Sequence, residues 1–226
     1  MEKTRGRALK ERVREILRSG EIEQALEQIS QFPFRQTVNP LFSFLYSKNP
    51  ELKWAAVTAM GHVTAKLAFE DMESARVVVR RLMWNLNDES GGIGWGSPEA
   101  LGEILAGHPG LAGEYAPILV SYAMKDGNYL EHEQLQCGLI WAIGRVAQAN
   151  HLLMQNAAPH LLPFLGARDS ALRGHGAWTL GLLGRGEARL PLEHLLDDPS
   201  DFLIYIDRKL LTRQVKEVAK EALKRI

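Results

Sequence analysis

Residues 169–181 read Asp169-Ser-Ala-Leu-Arg-Gly-His-Gly-Ala-Trp-Thr-Leu-Gly181. The stretch ends in a short apolar core closed by a small residue, and that ending recurs upstream. It returns as Ala-Val-Thr-Ala-Met-Gly at Gly61, Pro-Glu-Ala-Leu-Gly at Gly102 and Trp-Ala-Ile-Gly at Gly144, so that the four glycines are 41, 42 and 37 residues apart. A degenerate fifth copy, Val218 to Lys224, places Lys224 where the others have glycine. Internal repetition near this period is the signature of stacked helical units.

The copies agree in chemistry position by position. Nine residues before the closing glycine stand Leu52, Ile93, Leu135 and Leu172. Two before it are Ala59, Ala100, Ala142 and Thr179, and two after it are Val63, Ile104, Val146 and Leu183. This spacing gives one helix face, with small residues where helices approach closely. A second amphipathic segment precedes each core, predicted at 40–47, 72–87, 115–125, 158–165 and 190–196. Pro40, Pro159 and Pro191 are expected near the starts of their helices, where the ring is tolerated.

Paired helices at this period resemble HEAT repeats, and residues 169–181 are similar to the second-helix signature of the phycobilisome-lyase type, with Asp169 and Arg173 four residues apart. The other copies lack that arginine. Taken whole, and at Asn-Asp-Glu-Ser-Gly-Gly-Ile-Gly-Trp-Gly-Ser-Pro-Glu-Ala (residues 87–100), the chain resembles an uncharacterised group of bacterial HEAT-repeat proteins. The resemblance implies an all-α fold, a right-handed α-α superhelix of about five helix pairs. It implies no reaction, because function does not follow from fold.

The whole chain, 1–226, is expected to form one solenoid, with cap helices in 1–35, repeats in 36–200 and a closing segment in 201–226. The cap helices are predicted over Lys3–Arg18 and Glu21–Ser30. In the closing segment Phe202–Ile206 and Leu210–Thr212 flank Asp207-Arg-Lys209, a β-hairpin pattern before a last helix over Arg213–Ile226. The alternative is one irregular helix from Asp201.

Lysine plus arginine equals aspartate plus glutamate, 27 each, so no global field attracts polyanions and nucleic acid is a disfavoured partner. A single cysteine, Cys137, excludes an intramolecular disulfide framework and fits a reducing, cytoplasmic location. No apolar run reaches the length of a membrane span, and the charged start of the chain does not read as a signal peptide. The basic residues Lys3, Arg5, Arg7, Lys10, Arg12, Arg14 and Arg18 are interleaved with glutamates and read as a solvated cap.

The resemblance assigns the second helix of each pair to the concave face. Positions seven and three before the glycine and one after it then form a stripe. It carries Trp54, Thr58 and His62; Trp95, Glu99 and Glu103; Cys137, Trp141 and Arg145; Gly174, Trp178 and Leu182. Four of the five tryptophans fall on it. Two readings stay open: a ligand-stacking surface, or rings packed between successive repeats.

The second copy is interrupted. Twelve residues separate Asp169 from Gly181, but fourteen separate Asp88 from Gly102. Ser97-Pro98-Glu99 is a helix start, with Ser97 as the predicted N-cap and Pro98 in the first helical position. The inner helix therefore begins late, with a glycine-rich loop over 88–96 in place of its first turns. A notch over residues 85–103 follows, edged by Trp95. Free amides there favour an anion, whereas Asp88, Glu89, Glu99 and Glu103 favour a cation or a ligand rich in donors. The candidate binding residues are Trp54, His62, Asn87, Asp88, Glu89, Trp95, Glu99, Glu103, His132, Trp141, Arg145, His175 and Trp178. The expected partner is another protein or a small polar ligand.

Catalysis is the alternative, through Asp88, Glu89, Glu99, Glu103 and His132. No cofactor or metal is expected. HEAT-like iron hydroxylases carry repeated His-Glu pairs at helix starts, and this chain has only His132-Glu133. HEAT-like DNA glycosylases combine concave aromatics with acidic and basic residues, echoed in part by Trp141, Trp178, Glu99 and Arg145. Yet the stripe offers only Arg145, with Arg173 nearby, and two carboxylates oppose them. No Gly-x-Ser-x-Gly element, phosphate loop or zinc-type cysteine cluster is present.

Overall fold

The computed structural model of the chain describes residues 2–87 and 94–226, with side chains from Gly6 onward. Its elements are twelve α-helices and one β-hairpin among the described residues. Two compact units divide it, Met1–His108 and Pro109–Ile226.

The first unit opens with α1 (Glu2–Leu17) and α2 (Ile22–Ile29), then pairs α3 (Phe34–Leu45) with α4 (Pro50–Glu70) and α5 (Met72–Leu86) with α6 (Ser97–Gly107). Caps set the boundaries. Asn49 accepts from the Leu52 amide at 2.8 Å, with Pro50 just inside the helix, and Asp71 accepts from the Ser74 amide at 3.1 Å. Pro40 departs from expectation. It lies in the interior of α3, because that helix starts at Phe34 rather than Pro40. Pro33 supplies the N-terminal boundary, and Ser43 Oγ donates to the Pro40 carbonyl at 2.7 Å.

In the second unit α7 (Pro109–Ser121) pairs with α8 (Glu133–Ala149), and α7 likewise begins before the predicted Tyr115. The outer element of the next repeat is broken: α9 spans only Ala158–Leu161, between 3-10 turns at His151–Ala157 and Leu162–Gly166. Pro159 and Pro163 each sit at the start of their segment, where the missing N–H costs no bond. Opposite it runs α10 (Ser170–Leu183), capped by Asp169 and ended by Gly184 in the left-handed region at φ 61°. The short α11 (Arg189–Glu193) pairs with α12 (Val215–Leu223).

Between them β1 (Asp201–Ile206) and β2 (Lys209–Gln214) pair antiparallel, with Ile206 opposite Lys209. Asp207 and Arg208 both have positive φ, 49° and 61°, the pattern of a two-residue type I′ turn. The hairpin is therefore present and the irregular helix is not.

The inner helices approach through the repeat glycines. A Cβ on Gly61 would lie 2.6 Å from that of Glu103, one on Gly144 2.4 Å from the Trp178 ring, and one on Gly181 2.6 Å from the Ala222 backbone. The small residue closing each of these cores is thus the crossing point between one inner helix and the next. Ala59, Ala142, Thr179, Val63 and Val146 around those glycines are buried, as the period required.

Candidate functional site

In the first unit, the residues around the predicted notch converge on the start of α6. The helix begins at Ser97, as expected, but the cap is Gly96, at φ 76°, not Ser97. The Ser97 side chain makes no capping bond because it is already inside the helix and fully buried. Its hydroxyl has no hydrogen-bond partner among the described residues.

Gly94 and Gly96 are needed sterically as well as for turning. A Cβ on Gly94 would lie 2.7 Å from the Asn85 carbonyl of α5, and one on Gly96 2.9 Å from the Leu45 carbonyl of α3. The turn is pinned between the ends of two helices, with Trp95 half-buried at its apex. Asn87 is exposed at the C-terminus of α5, its N–H bonded to the Trp84 carbonyl. Asp88 and Glu89, with most of the predicted loop, lie outside the described residues.

Glu99 and Glu103, the carboxylates among the described residues of the notch, are engaged rather than open. Glu99 is only 4% exposed and its Oε1 takes the Lys53 Nζ at 2.6 Å. The same ammonium lies 5.6 Å above the ring of Trp54, itself buried on α4. Lys53 was not among the sequence candidates. The repeat pattern does not single it out, since its partner lies 46 residues away. Glu103 packs its Cβ against Gly61. His62 shares a 2.8 Å hydrogen bond between Nε2 and Ser30 Oγ, joining α4 to the end of α2.

In the second unit the stripe residues meet the hairpin. In a two-residue hairpin the pair beside the turn exchanges both backbone bonds, so alternation directs the carbonyls of Tyr205 and Asp201 away from β2. Trp141 Nε1 donates to the Tyr205 carbonyl at 2.6 Å, and Ser170 Oγ to that of Asp201 at 2.9 Å. The Trp141 ring is 1% exposed. An open stacking face at this position is therefore corrected: the hairpin covers the ring and takes its N–H. His175 is buried too, with Nδ1 at 2.7 Å from the Ala171 carbonyl and its ring edge-on to Phe202. The Phe202 ring in turn fills the space that Gly174 leaves, 2.3 Å from where a Cβ would stand.

Trp178 covers Gly144 and is buried. Trp54, Trp141 and Trp178 are thus all buried, Trp178 against Gly144 and Trp141 against the hairpin backbone, as the packing alternative requires. Arg145 is half-buried on α8. His132 is exposed and caps α8, its Nδ1 accepting from the Gln134 amide at 3.3 Å.

The Asp169–Arg173 signature divides into two jobs. Asp169 caps α10 through the Ala171 amide at 2.6 Å. Arg173 binds Asp198 at 2.6 Å and donates to the Ala167 and Arg168 carbonyls and to Ser200 Oγ, tying α10 to the segment entering the hairpin. Burial alone would raise the Asp198 carboxyl, but bonds from Arg173 and Ser200 outweigh it and hold it below its ordinary value.

Among the described residues no group of three or more His, Cys, Asp or Glu side chains is placed to hold a metal ion, and no helix is long and apolar enough to cross a membrane. The chain matches no protein-family profile and no curated protein. Its fold is similar to that of an engineered protein of known crystal structure (TM-score 0.58, 17% identity, covering 100% of this chain and 93% of that one). It is similar also to a designed armadillo repeat protein (TM-score 0.52, 18% identity, 95% and 98%). A second designed armadillo repeat protein, solved in complex with the peptide (KR)4, matches with TM-score 0.51 and 16% identity over 95% and 98% of the two chains. The fold is an armadillo-like helical repeat with a hairpin before its last helix.

Proposed function

We propose that the chain is a binding module that holds a segment of another protein, or a small polar ligand, in the notch around residues 85–103. The carrying observation is the start of α6. There a helix delayed to Ser97 follows a left-handed Gly96, beside a half-buried Trp95, and the Ser97 hydroxyl is buried with no partner among the described residues. A buried, unsatisfied hydroxyl is costly, and a polar group supplied from outside removes that cost. Trp95 offers a ring of the kind that dominates interface energies. Glu99 and Glu103 form the acidic side of the notch, with Glu99 neutralised by Lys53. The peptide complex of the similar designed protein supports a segment as the occupant.

The finer kinship, with phycobilisome-lyase-type HEAT repeats, rests on residues 169–181 and belongs to the same proposal, as does a cytoplasmic location. The balanced charge disfavours nucleic acid.

The test is an immobilised peptide library and a panel of small polar metabolites, probed with the intact chain and with Trp95→Ala and Ser97→Ala. Trp95→Ala is expected to weaken the best binder about tenfold or more, the loss of about 1.4 kcal/mol. Undiminished affinity in both variants, with helical circular dichroism retained, removes the notch as the site.

A further inference from the structure

We infer that the groove between α1 and α3 docks an acidic, amphipathic segment of another protein. The groove has a volume of about 1070 Å³ and lies on the first unit. That is at the upper end of small-molecule pockets, and a groove between two helices is a common seat for a helical or extended segment. Leu9, Phe32 and Pro40 supply apolar wall, while Lys10 and Arg12 are its charged lining residues among the described side chains.

The polar groups facing it are biased towards donors. Lys10 has no carboxylate partner among the described residues, and its ammonium stands 5.8 Å from the centre of the Phe44 ring. Arg12 is paired with Glu15, at 3.4 Å, and both side chains are mostly exposed. Such a pair is screened and readily exchanged. Asn39 accepts from Arg81 Nη1 at 2.6 Å through Oδ1, which leaves its NH2 group to donate. Arg81 itself lies over the Phe42 ring and adds a third cation beside the lining.

Carboxylates complement this set, and apolar side chains complement the wall between the cations. A nucleic acid fits less well, because its affinity needs many phosphate contacts and the whole chain has no net positive charge. This surface is separate from the notch around residues 85–103, and its test does not depend on that site.

The probe is a labelled helical peptide with one leucine face and one glutamate face, titrated against the full chain and followed by fluorescence anisotropy. A control peptide carries lysine for each glutamate. The glutamate peptide is expected to bind at least tenfold more tightly than the control, with affinity falling as salt rises. The double variant Lys10→Glu/Arg12→Glu is expected to reverse that preference, and Ser43→Trp, which fills the groove, to abolish binding with helicity intact. Trp95→Ala is expected to leave it unchanged. Absent binding, equal binding of the two peptides, an unreversed preference in the double variant, or tighter binding of a single-stranded oligonucleotide through Lys10 and Arg12 overturns the inference.

Discussion

The Lys53–Glu99 pair shows how much one residue's environment decides. Both side chains are largely removed from water, and the carboxylate is the more buried. Their attraction offsets two desolvation costs, so losing one partner exposes the other's cost in full. Lys53→Met is expected to destabilise the chain by about 3–5 kcal/mol, measured by urea unfolding. The double substitution Lys53→Met/Glu99→Leu should recover most of that loss, because no charge is then left buried. A single-variant cost below about 1 kcal/mol would mean that water reaches the pair as it reaches surface bridges. Glu99 was legible as an acidic residue on the second inner helix. Its state was not, because the partner comes from another helix.

At the scale of elements, the repeat is a set of inner helices crossing at small residues. Glycine within a helix ordinarily costs about 0.5–1 kcal/mol relative to alanine, so Gly→Ala at an exposed helical site stabilises. At the crossings the sign is expected to invert. Gly181→Ala places a methyl 2.6 Å from the Ala222 Cα, where only movement of α12 makes room. Gly144→Ala meets the Trp178 ring and Thr179 Oγ1. Each is expected to lower stability by about 1–3 kcal/mol, whereas Gly113→Ala on α7, with open space around it, should be neutral or stabilising. Thermal melts of the three variants check the ordering, and a stabilised Gly181→Ala would contradict the crossing. These glycines were visible as a period. Their role as contact points appeared only when the next inner helix was set against them.

For the chain as a whole, acid is the expected stress. Hydrogen bonds from the Ser74 backbone and hydroxyl, with Arg35 nearby, hold Asp71 below its ordinary value. Arg80 and then Arg76 do the same for Glu73 against the opposing effect of burial. In Asp198 burial opposes the shift and the Arg173 and Ser200 bonds prevail. Carboxyls lowered on folding stabilise the native state fully above their unfolded values, and that stability is lost as pH falls through the folded ones. The ordinary values are 3.8 for the two aspartates and 4.5 for Glu73. The melting temperature is therefore expected to hold at mildly acid pH and to drop once pH passes below about 4. Asp198→Asn should lower it at neutral pH and narrow the gap from the unmodified chain in acid. A constant gap down to pH 2 would show that the Arg173 bond carries no proton linkage.

The sequence by itself determined what local chemistry controls: the repeat period, the late start of α6 at Ser97, and a hairpin before the last helix. The apolar spacing within each repeat, a helix start at Ser-Pro-Glu and a short polar turn between β-branched runs depend on neighbours a few positions away, so a string of residues carries them. Tertiary structure alone decided which stripe residues are engaged. Trp141 meets a carbonyl 64 residues later and Lys53 a carboxylate 46 residues later, and contacts at that separation depend on how helices pack, which periodicity does not encode. The same reason hid the groove between α1 and α3. Its apolar wall and its donors come from two helices whose separate patterns read as a solvated cap and an ordinary repeat.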